Sequence, residues 1–378
     1  MTTYLDCNAT TPMAPEVARV VRHYMEVDFG NAGSRTHEFG HRAKQAVVRA
    51  REQVAAVVNA KPDEVIFTSG ATEANNLAIL GLEDEGRRTG RMHIVSTQIE
   101  HTAVLEPLAE MRRRGFEVTL LSPNRGGWVE AERVGEALRD DTLLVSVMHV
   151  NNETGVIQDI ERIAQAVAGR PALLHVDAAQ GFGKVDGIEG EGIDLISVSG
   201  HKIYGPKGVG ALVARRRKWS RPPLKPLMYG GGQEVGLRPG SVPVALVAGL
   251  GEAACRARRH FLRIAIDAVE FREALRSRLA DLGFQIVGDP GRVLATTLSI
   301  ALPGVDSEAA VLALKGEFAV SNGAACTSSE YGESHVLRAM GIRARGFLRF
   351  SWSRGYKTDV ARRIAELLRP LVACGLND

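Results

Sequence analysis

Apolar residues along this chain fall into two rhythms. Short, nearly continuous runs rich in aliphatic and β-branched residues recur: EVIFTS (64–69), HIVST (93–97), FEVTLLS (116–122), TLLVSVMHV (142–150), ALLHVDA (172–178), DLISVS (194–199) and GALVA (210–214). Each predicts a β-strand. Between most of them lie stretches of helical length with apolar residues three and four apart, as in DIERIAQAVAG (159–169). That spacing lines one face of a helix. Strands alternating with helices predict an α/β domain built on a mostly parallel sheet.

The rhythm then changes. WSRPPLKPLMYGGGQEVGLRPGSVP (219–243) is rich in glycine and proline and reads as a long functional loop. A long helical pattern follows over 244–282. The remainder holds fewer strands, TTLSIAL (296–302) and FLRFSWS (347–353), with helices between and after. The expected organisation is a large α/β domain over 14–255 and a smaller α+β domain formed by 1–13 with 256–378. A length of 378 residues agrees, since one hydrophobic core rarely serves so long a chain.

With 45% apolar and 24% charged residues, the composition is that of a soluble globular protein. The formal net charge of +3 is too small to imply a nucleic-acid or membrane-surface partner. The start, MTTYLDCNATTP, has neither the basic nor the apolar region of a signal peptide, and no apolar run is long enough to span a bilayer. A cytoplasmic protein with no direct nucleic-acid or membrane contact is expected. The four cysteines, Cys7, Cys255, Cys326 and Cys374, form no C-x-x-C pair. That spacing excludes a sequence-local zinc knuckle and makes no disulfide framework.

In parallel sheets ligands collect beyond the carboxyl ends of the strands. The residues there are Ser69-Gly70-Ala71-Thr72, Glu100-His101, Asn151-Asn152-Glu153, Asp177-Ala178-Ala179-Gln180 and Ser199-Gly200-His201-Lys202. Nucleotide signatures fail: GHKIYGPKG has Pro206 where a P-loop needs lysine, and GGGQEVG places its last glycine one position late. TSGATEANNLAI puts a small, hydroxyl-bearing turn at a helix start, where backbone N–H groups and Thr72 suit an anion. A lysine at a strand end beneath a crevice is partly desolvated, which lowers its pKa as a Schiff-base lysine requires. Each feature alone has an ordinary structural explanation. Together, a phosphate-suited helix start, a histidine, an aspartate and a lysine on one sheet edge are the parts that hold pyridoxal phosphate.

One stretch remains, AVSNGAACTSSEYG (319–332), a single thiol among very small residues that predicts an open loop. With it the chain resembles the cysteine desulfurases of the NifS/IscS type, which are fold-type I, class-V aminotransferase-like pyridoxal-phosphate enzymes. The likeness runs from YLDCNATTP (4–12) to LRFSWSRG (348–355). It includes FGNAGSRTHEFG (29–40), VIFTSGATEANNLAI (65–79), MHVNNETG (148–155), HVDAAQ (175–180), SVSGHKIYGPKGVGAL (197–212), GGGQEVGLRPGSVP (230–243) and SNGAACTSS (321–329).

The resemblance implies that Lys202 carries the cofactor, Asp177 pairs with its pyridine nitrogen and Gln180 contacts its ring hydroxyl. His101 stacks on the ring, and Lys202 or His101 moves the Cα proton. Ala71, Thr72, Ser199 and His201 surround the phosphate. Asn152 and Arg349 hold the carboxylate of L-cysteine. Cys326 takes the sulfur as a persulfide and passes it to an acceptor protein. A homodimer is implied, with a hydroxyl near position 241 reaching the partner's phosphate. Here that residue is Ser241, where bacterial iron–sulfur members have threonine, and Pro239 precedes it. Iron–sulfur assembly, tRNA thiolation and DNA phosphorothioation stay open as destinations of the sulfur. Aminotransfer, selenocysteine lysis and a silent adaptor are the competing readings; a transaminase needs no mobile thiol, and an adaptor needs neither Lys202 nor Asp177.

Overall fold

A computed structural model describes residues 2–323, 334–343, 346–353 and 355–375, without the side chains of 260–264 and 373–375. In chain order its elements are β1 (Thr3–Tyr4), α1 (Pro15–Glu26), α2 (Glu38–Val57), β2 (Val65–Thr68), α3 (Ala71–Leu80), α4 (Glu83–Thr89), β3 (His93–Thr97), α5 (Thr102–Arg113), β4 (Glu117–Leu121), α6 (Ala131–Ala137), β5 (Thr142–Met148), α7 (Ile160–Val167), β6 (Leu173–Asp177), β7 (Leu195–Ser199) and β8 (Gly210–Ala214). Then come α8 (Val244–Leu279), β9 (Gln285–Ile286), β10 (Thr297–Ala301), α9 (Ser307–Leu314), β11 (Phe318–Ala319), α10 (His335–Ala339), β12 (Phe347–Ser351) and α11 (Thr358–Gly375).

Seven strands make one sheet in the order β2-β8-β7-β6-β5-β3-β4. All its pairings are parallel except the two that β8 makes with β2 and β7. Every apolar run from 64 to 214 becomes one of these strands. The runs are continuous because both faces of the sheet are covered. Adjacent residues of β5 show it: Val145 belongs to the apolar cluster that holds Val17, Val54 and Leu250, while Leu144 belongs to the one that holds Leu77, Leu108 and Met111. The helices follow their apolar stripes. In α7, Ile160, Ile163, Ala164 and Val167 are buried, and Asp159 caps the first turn by accepting the Arg162 N–H. α2 and α8 approach closely across alanines, so that a Cβ on Gly251 would come 2.6 Å from the Ala50 Cα.

The second core lies beyond the sheet. β12-β10-β9 form an antiparallel three-stranded sheet and β1-β11 a parallel pair. Phe271 of α8, Leu298 and Ile300 of β10, Leu348 and Phe350 of β12 and Ile364 of α11 pack here, together with Leu5 from the chain start. α8 serves both cores, with Leu250 and Ala254 in the first and Ala268 and Phe271 in the second. A smaller apolar cluster bridges the two units. It joins Ile99 and Met148, at the ends of β3 and β5, to Val336, Leu337, Met340 and Phe347. Among the described residues no helix is long and apolar enough to cross a membrane.

Candidate active site

The carboxyl ends of β2, β3, β5, β6 and β7 border one cavity of about 490 Å3. β7 ends at Ser199, and a single tight turn, Gly200–Lys202, carries Lys202 over the cavity. Its Nζ donates to the main-chain oxygens of Asn8 (2.5 Å) and Ala9 (2.8 Å). The segment after β1 therefore roofs the site with carbonyls. Gln180, predicted to face a ring hydroxyl, lines the cavity and donates through Nε2 to the same Asn8 oxygen (2.7 Å).

Asp177 closes β6. Its Oδ2 accepts from Asn75 Nδ2 (2.8 Å) and its Oδ1 from the Ala179 N–H (2.9 Å). Asn75 is fully buried on α3, and its own Oδ1 has no partner. No motif singled it out. The available signal was an asparagine four positions after Ala71, on a helix that starts at the cavity and faces the core.

The start of α3 forms the opposite wall. The first N–H groups of a helix have no intrahelical partner. Those of Ala71 and Thr72 lie at the cavity, and the space a Cβ on Gly70 would enter is open. Glu73 buttresses this turn: its Oε2 accepts the Ser69 N–H (2.6 Å) and its Oε1 accepts from Arg238 (3.0 Å). Burial works against the Glu73 charge, and the bonds from Ser69 and Arg238 outweigh it and hold its pKa low. Gly210 explains how β8 can pass behind. It pairs with both Thr68 and Ser199, and a Cβ there would lie 2.3 Å from the Val198 oxygen and 2.6 Å from the Gly70 Cα.

Ser199, His201 and Lys207 also line this end. Burial and the charges of Lys202, Lys207 and Lys184 push His201 down to about 4, so it stays neutral. Lys184 lies behind Gln180, and burial with the Lys202 charge brings it down to about 7.

His101 follows β3 and caps α5. Its Nδ1 accepts the Ala103 N–H (3.0 Å), so the neutral ring carries its proton on Nε2. Burial lowers its pKa and Lys202 and His335 add to this, against the pull of Asp177. The preceding Glu100 is fully buried. Its Oε1 accepts from Thr97 (2.7 Å) and the Met148 N–H (2.9 Å), while Oε2 has no partner. Burial pushes it up to about 8, which makes it a neutral acid over most of the physiological range.

Asn152, beyond β5, lines the cavity, whereas Arg349 of β12 stands one layer behind it. Arg349 donates to the Asn152 oxygen (2.7 Å) and to Asp6 Oδ1 (2.6 Å), and its buried Nε has no partner. Ser241 is exposed and does not border this cavity. Cys326 lies outside the described residues. Of the cysteines whose side chains are described, Cys255 is half-buried on α8, and burial pushes the Cys7 thiol up to about 11, an inert form.

These groups fit pyridoxal phosphate. The open cradle at Gly70 with the α3 N–H groups, Thr72 and Ser199 suits a phosphate. Asp177 suits a pyridinium nitrogen, His101 a ring face, and Lys202 an aldehyde. Among the described residues no group of three or more His, Cys, Asp or Glu could hold a metal.

Comparison with known proteins agrees with this architecture. The aminotransferase class-V family matches residues 3–358. A cysteine desulfurase IscS of Vibrio cholerae is 44% identical over 358 residues, 93% of this chain and 88% of that protein. The crystal structure of DndA from Streptomyces lividans is 51% identical, with a TM-score of 0.82 over 93% of this chain and all of that one. A structure of SspA in complex with cysteine is 35% identical, with a TM-score of 0.82 over 94% of this chain and all of that one.

Proposed function

This chain belongs to the class-V aminotransferase family and is a pyridoxal-phosphate-dependent cysteine desulfurase; from that premise we propose that it works through Lys202, Asp177, His101 and Cys326. The observation that supports this reading most is that Lys202 and Asp177 share one cavity with the start of α3.

When bound, the cofactor supplies an electron sink that loosens the Cα–H and Cβ–S bonds of the amino acid. Ala71, Thr72, Ser199 and His201 hold its phosphate, Asp177 its ring nitrogen and Gln180 its hydroxyl. Asn152 orients the substrate carboxylate directly, with Arg349 behind it. Lys202 moves the proton at Cα. His101 has its Nδ1 engaged with Ala103, so it offers a ring face and an Nε2–H donor and leaves base duty to Lys202. The Cys326 thiolate attacks the substrate sulfur. An S–S bond forms as Cβ–S breaks, the carbon fragment regains a proton and leaves as alanine, and the extra sulfur stays on Cys326 as a persulfide.

The next acceptor is a protein of iron–sulfur assembly, tRNA thiolation or DNA phosphorothioation, and the enzyme acts in the cytoplasm. It is a homodimer in which Ser241 reaches the partner's phosphate. Exposed Phe29, Tyr229 and Val235, with the groove of about 390 Å3 between Met25, Phe29, Val242 and Leu246, favour a covered face there.

The test is a brief exposure of the holoenzyme to one equivalent of L-cysteine, alkylation, and peptide mapping by mass spectrometry. One added sulfur on the peptide containing Cys326 is expected. Sulfur found on Cys7 or Cys255 instead would refute the assignment.

A further inference from the structure

We propose that Glu153 is a positioning residue for sulfur transfer: it and the main chain of Glu100 fasten Ser334 and His335, which follow the Cys326 segment, to the two loops that carry Asn152 and His101. The inference rests on Cys326 being the sulfur acceptor.

The hydrogen-bond directions carry the argument. Ser334 caps α10, its Oγ accepting the N–H groups of Val336 (3.1 Å) and Leu337 (3.2 Å). Both lone pairs are then used, and the one hydroxyl proton goes to Glu153 Oε2 at 2.5 Å. His335 Nε2 lies 2.9 Å from the Glu100 main-chain oxygen, so that nitrogen is the donor. Beneath these two bonds Val336, Leu337 and Met340 pack on Ile99 and Met148.

Glu153 is itself fixed. Its N–H donates to Asn151 Oδ1 (2.9 Å) and its carbonyl accepts from Ser299 (2.6 Å). The other flank of the segment meets the same carboxyl group. Gly323 has φ +82°, and a Cβ there would lie 2.8 Å from the Phe347 ring and 3.3 Å from Glu153 Oε2. Only glycine lets the chain pass at that angle and distance. Gly323 and Ser334, the described residues on either side of 324–333, thus converge on one buried side chain placed directly after Asn152.

Attack on the substrate sulfur demands a fixed distance and angle between thiolate and substrate. Holding Ser334 and His335 against the loops that carry Asn152 and His101, with Gly323 passing close to the same Glu153 carboxyl group, fixes the described residues that border 324–333 beside the site. Burial raises the Glu153 pKa, against the pull of Ser334, His335 and Arg349. Either protonation state presents an accepting oxygen to Ser334, so the role requires an acceptor and not a charge.

The test compares holoenzyme variants by alanine release under reducing conditions, with kcat and KM for cysteine separated, and by the visible spectrum after cysteine is added. Glu153→Ala should lower kcat about tenfold or more, the scale of one lost buried hydrogen bond, with KM within about twofold and the spectral response kept. Glu153→Gln keeps an acceptor and should stay within about threefold of the wild type. Ser334→Gly keeps an acceptable N-cap residue but has no hydroxyl to donate, and should fall as Glu153→Ala does. Combining the two should cost no more than either alone. Should Glu153→Ala fail to fold, Ser334→Gly and Glu153→Gln decide the matter between them. Wild-type kcat in Glu153→Ala or Ser334→Gly would overturn the proposal, as would Glu153→Gln being as slow as Glu153→Ala. Cys326→Ser run alongside separates the two claims. If it releases alanine, the acceptor reading fails; if it is silent while Glu153→Ala is fully active, only the tether fails.

Discussion

At the scale of single residues, these candidate site residues were legible because each follows an apolar run: Thr72, His101, Asn152, Asp177 and Lys202 are polar residues at strand ends, and all border one cavity. The groups that hold them were not. Asn75 sits inside a helical pattern, and Asn8 and Ala9 act through main-chain oxygens that no side-chain type advertises. Glu100 stood beside His101 in the sequence, but its burial depends on Met148 and Thr97 closing over it. That burial has a consequence for pH. Its folded pKa of about 8 lies above the ordinary 4.5. Between these values the folded chain keeps a proton that the unfolded chain has lost, so stability falls as pH rises through this window. Glu100→Gln imitates the neutral acid and should flatten that fall. Urea unfolding near pH 5.5 and near pH 8 measures it. The variant should gain stability relative to wild type at the higher pH, and an unchanged pH slope would contradict the burial account.

Among elements, six strands of the main sheet are buried at every position, which makes them readable as nearly continuous runs, while the edge strand β4 exposes Glu117 and is carried by Val118, Leu120 and Leu121. The two-residue strands β1, β9 and β11 carry no such run and depend on partners far along the chain, as in the pairing of Thr3 with Phe318. The loop before α8 was recognisable by composition, though not its anchorage. Glu234 and Val235 have φ of 46° and 53°, an unfavourable geometry for a β-branched residue. The Glu234 carboxylate holds the turn in place, accepting from Arg51 (2.6 Å) and from the Phe67 N–H (2.7 Å). β8 offers the sharper test. Gly210→Ala would drive a Cβ against the main chain of Val198 and Gly70, neither of which can yield cheaply. The cradle at the start of α3 should open, weakening cofactor binding about tenfold or more, on the scale of overpacking costs. Titration of the stripped variant with pyridoxal phosphate reads this directly, and wild-type affinity would show that the close approach does not shape the site.

For the whole molecule, length and the change of rhythm after 218 implied two domains; among the described residues one unbroken α8 places side chains both in a cluster on the main sheet and in the cluster of the smaller sheet. Helical periodicity alone cannot show where a helix passes from one core to another, since its apolar stripe continues across the junction. The proposed dimer belongs to this scale. Sedimentation should give twice the chain mass, and replacing exposed Phe29 with Glu should shift the equilibrium toward monomer with loss of cofactor affinity. A fully active monomer would contradict shared sites. The central claim is that Cys326 takes sulfur from cysteine on a cofactor held by Lys202 and Asp177. Its most direct measurement is alanine released from L-cysteine by wild type, Cys255→Ser and Cys326→Ser under reducing conditions. A serine hydroxyl is a far weaker nucleophile than a thiolate at neutral pH. Cys326→Ser should bind the cofactor, change its visible spectrum on adding cysteine and release essentially no alanine, while Cys255→Ser turns over as wild type does. Alanine release by Cys326→Ser at the wild-type rate would contradict the account.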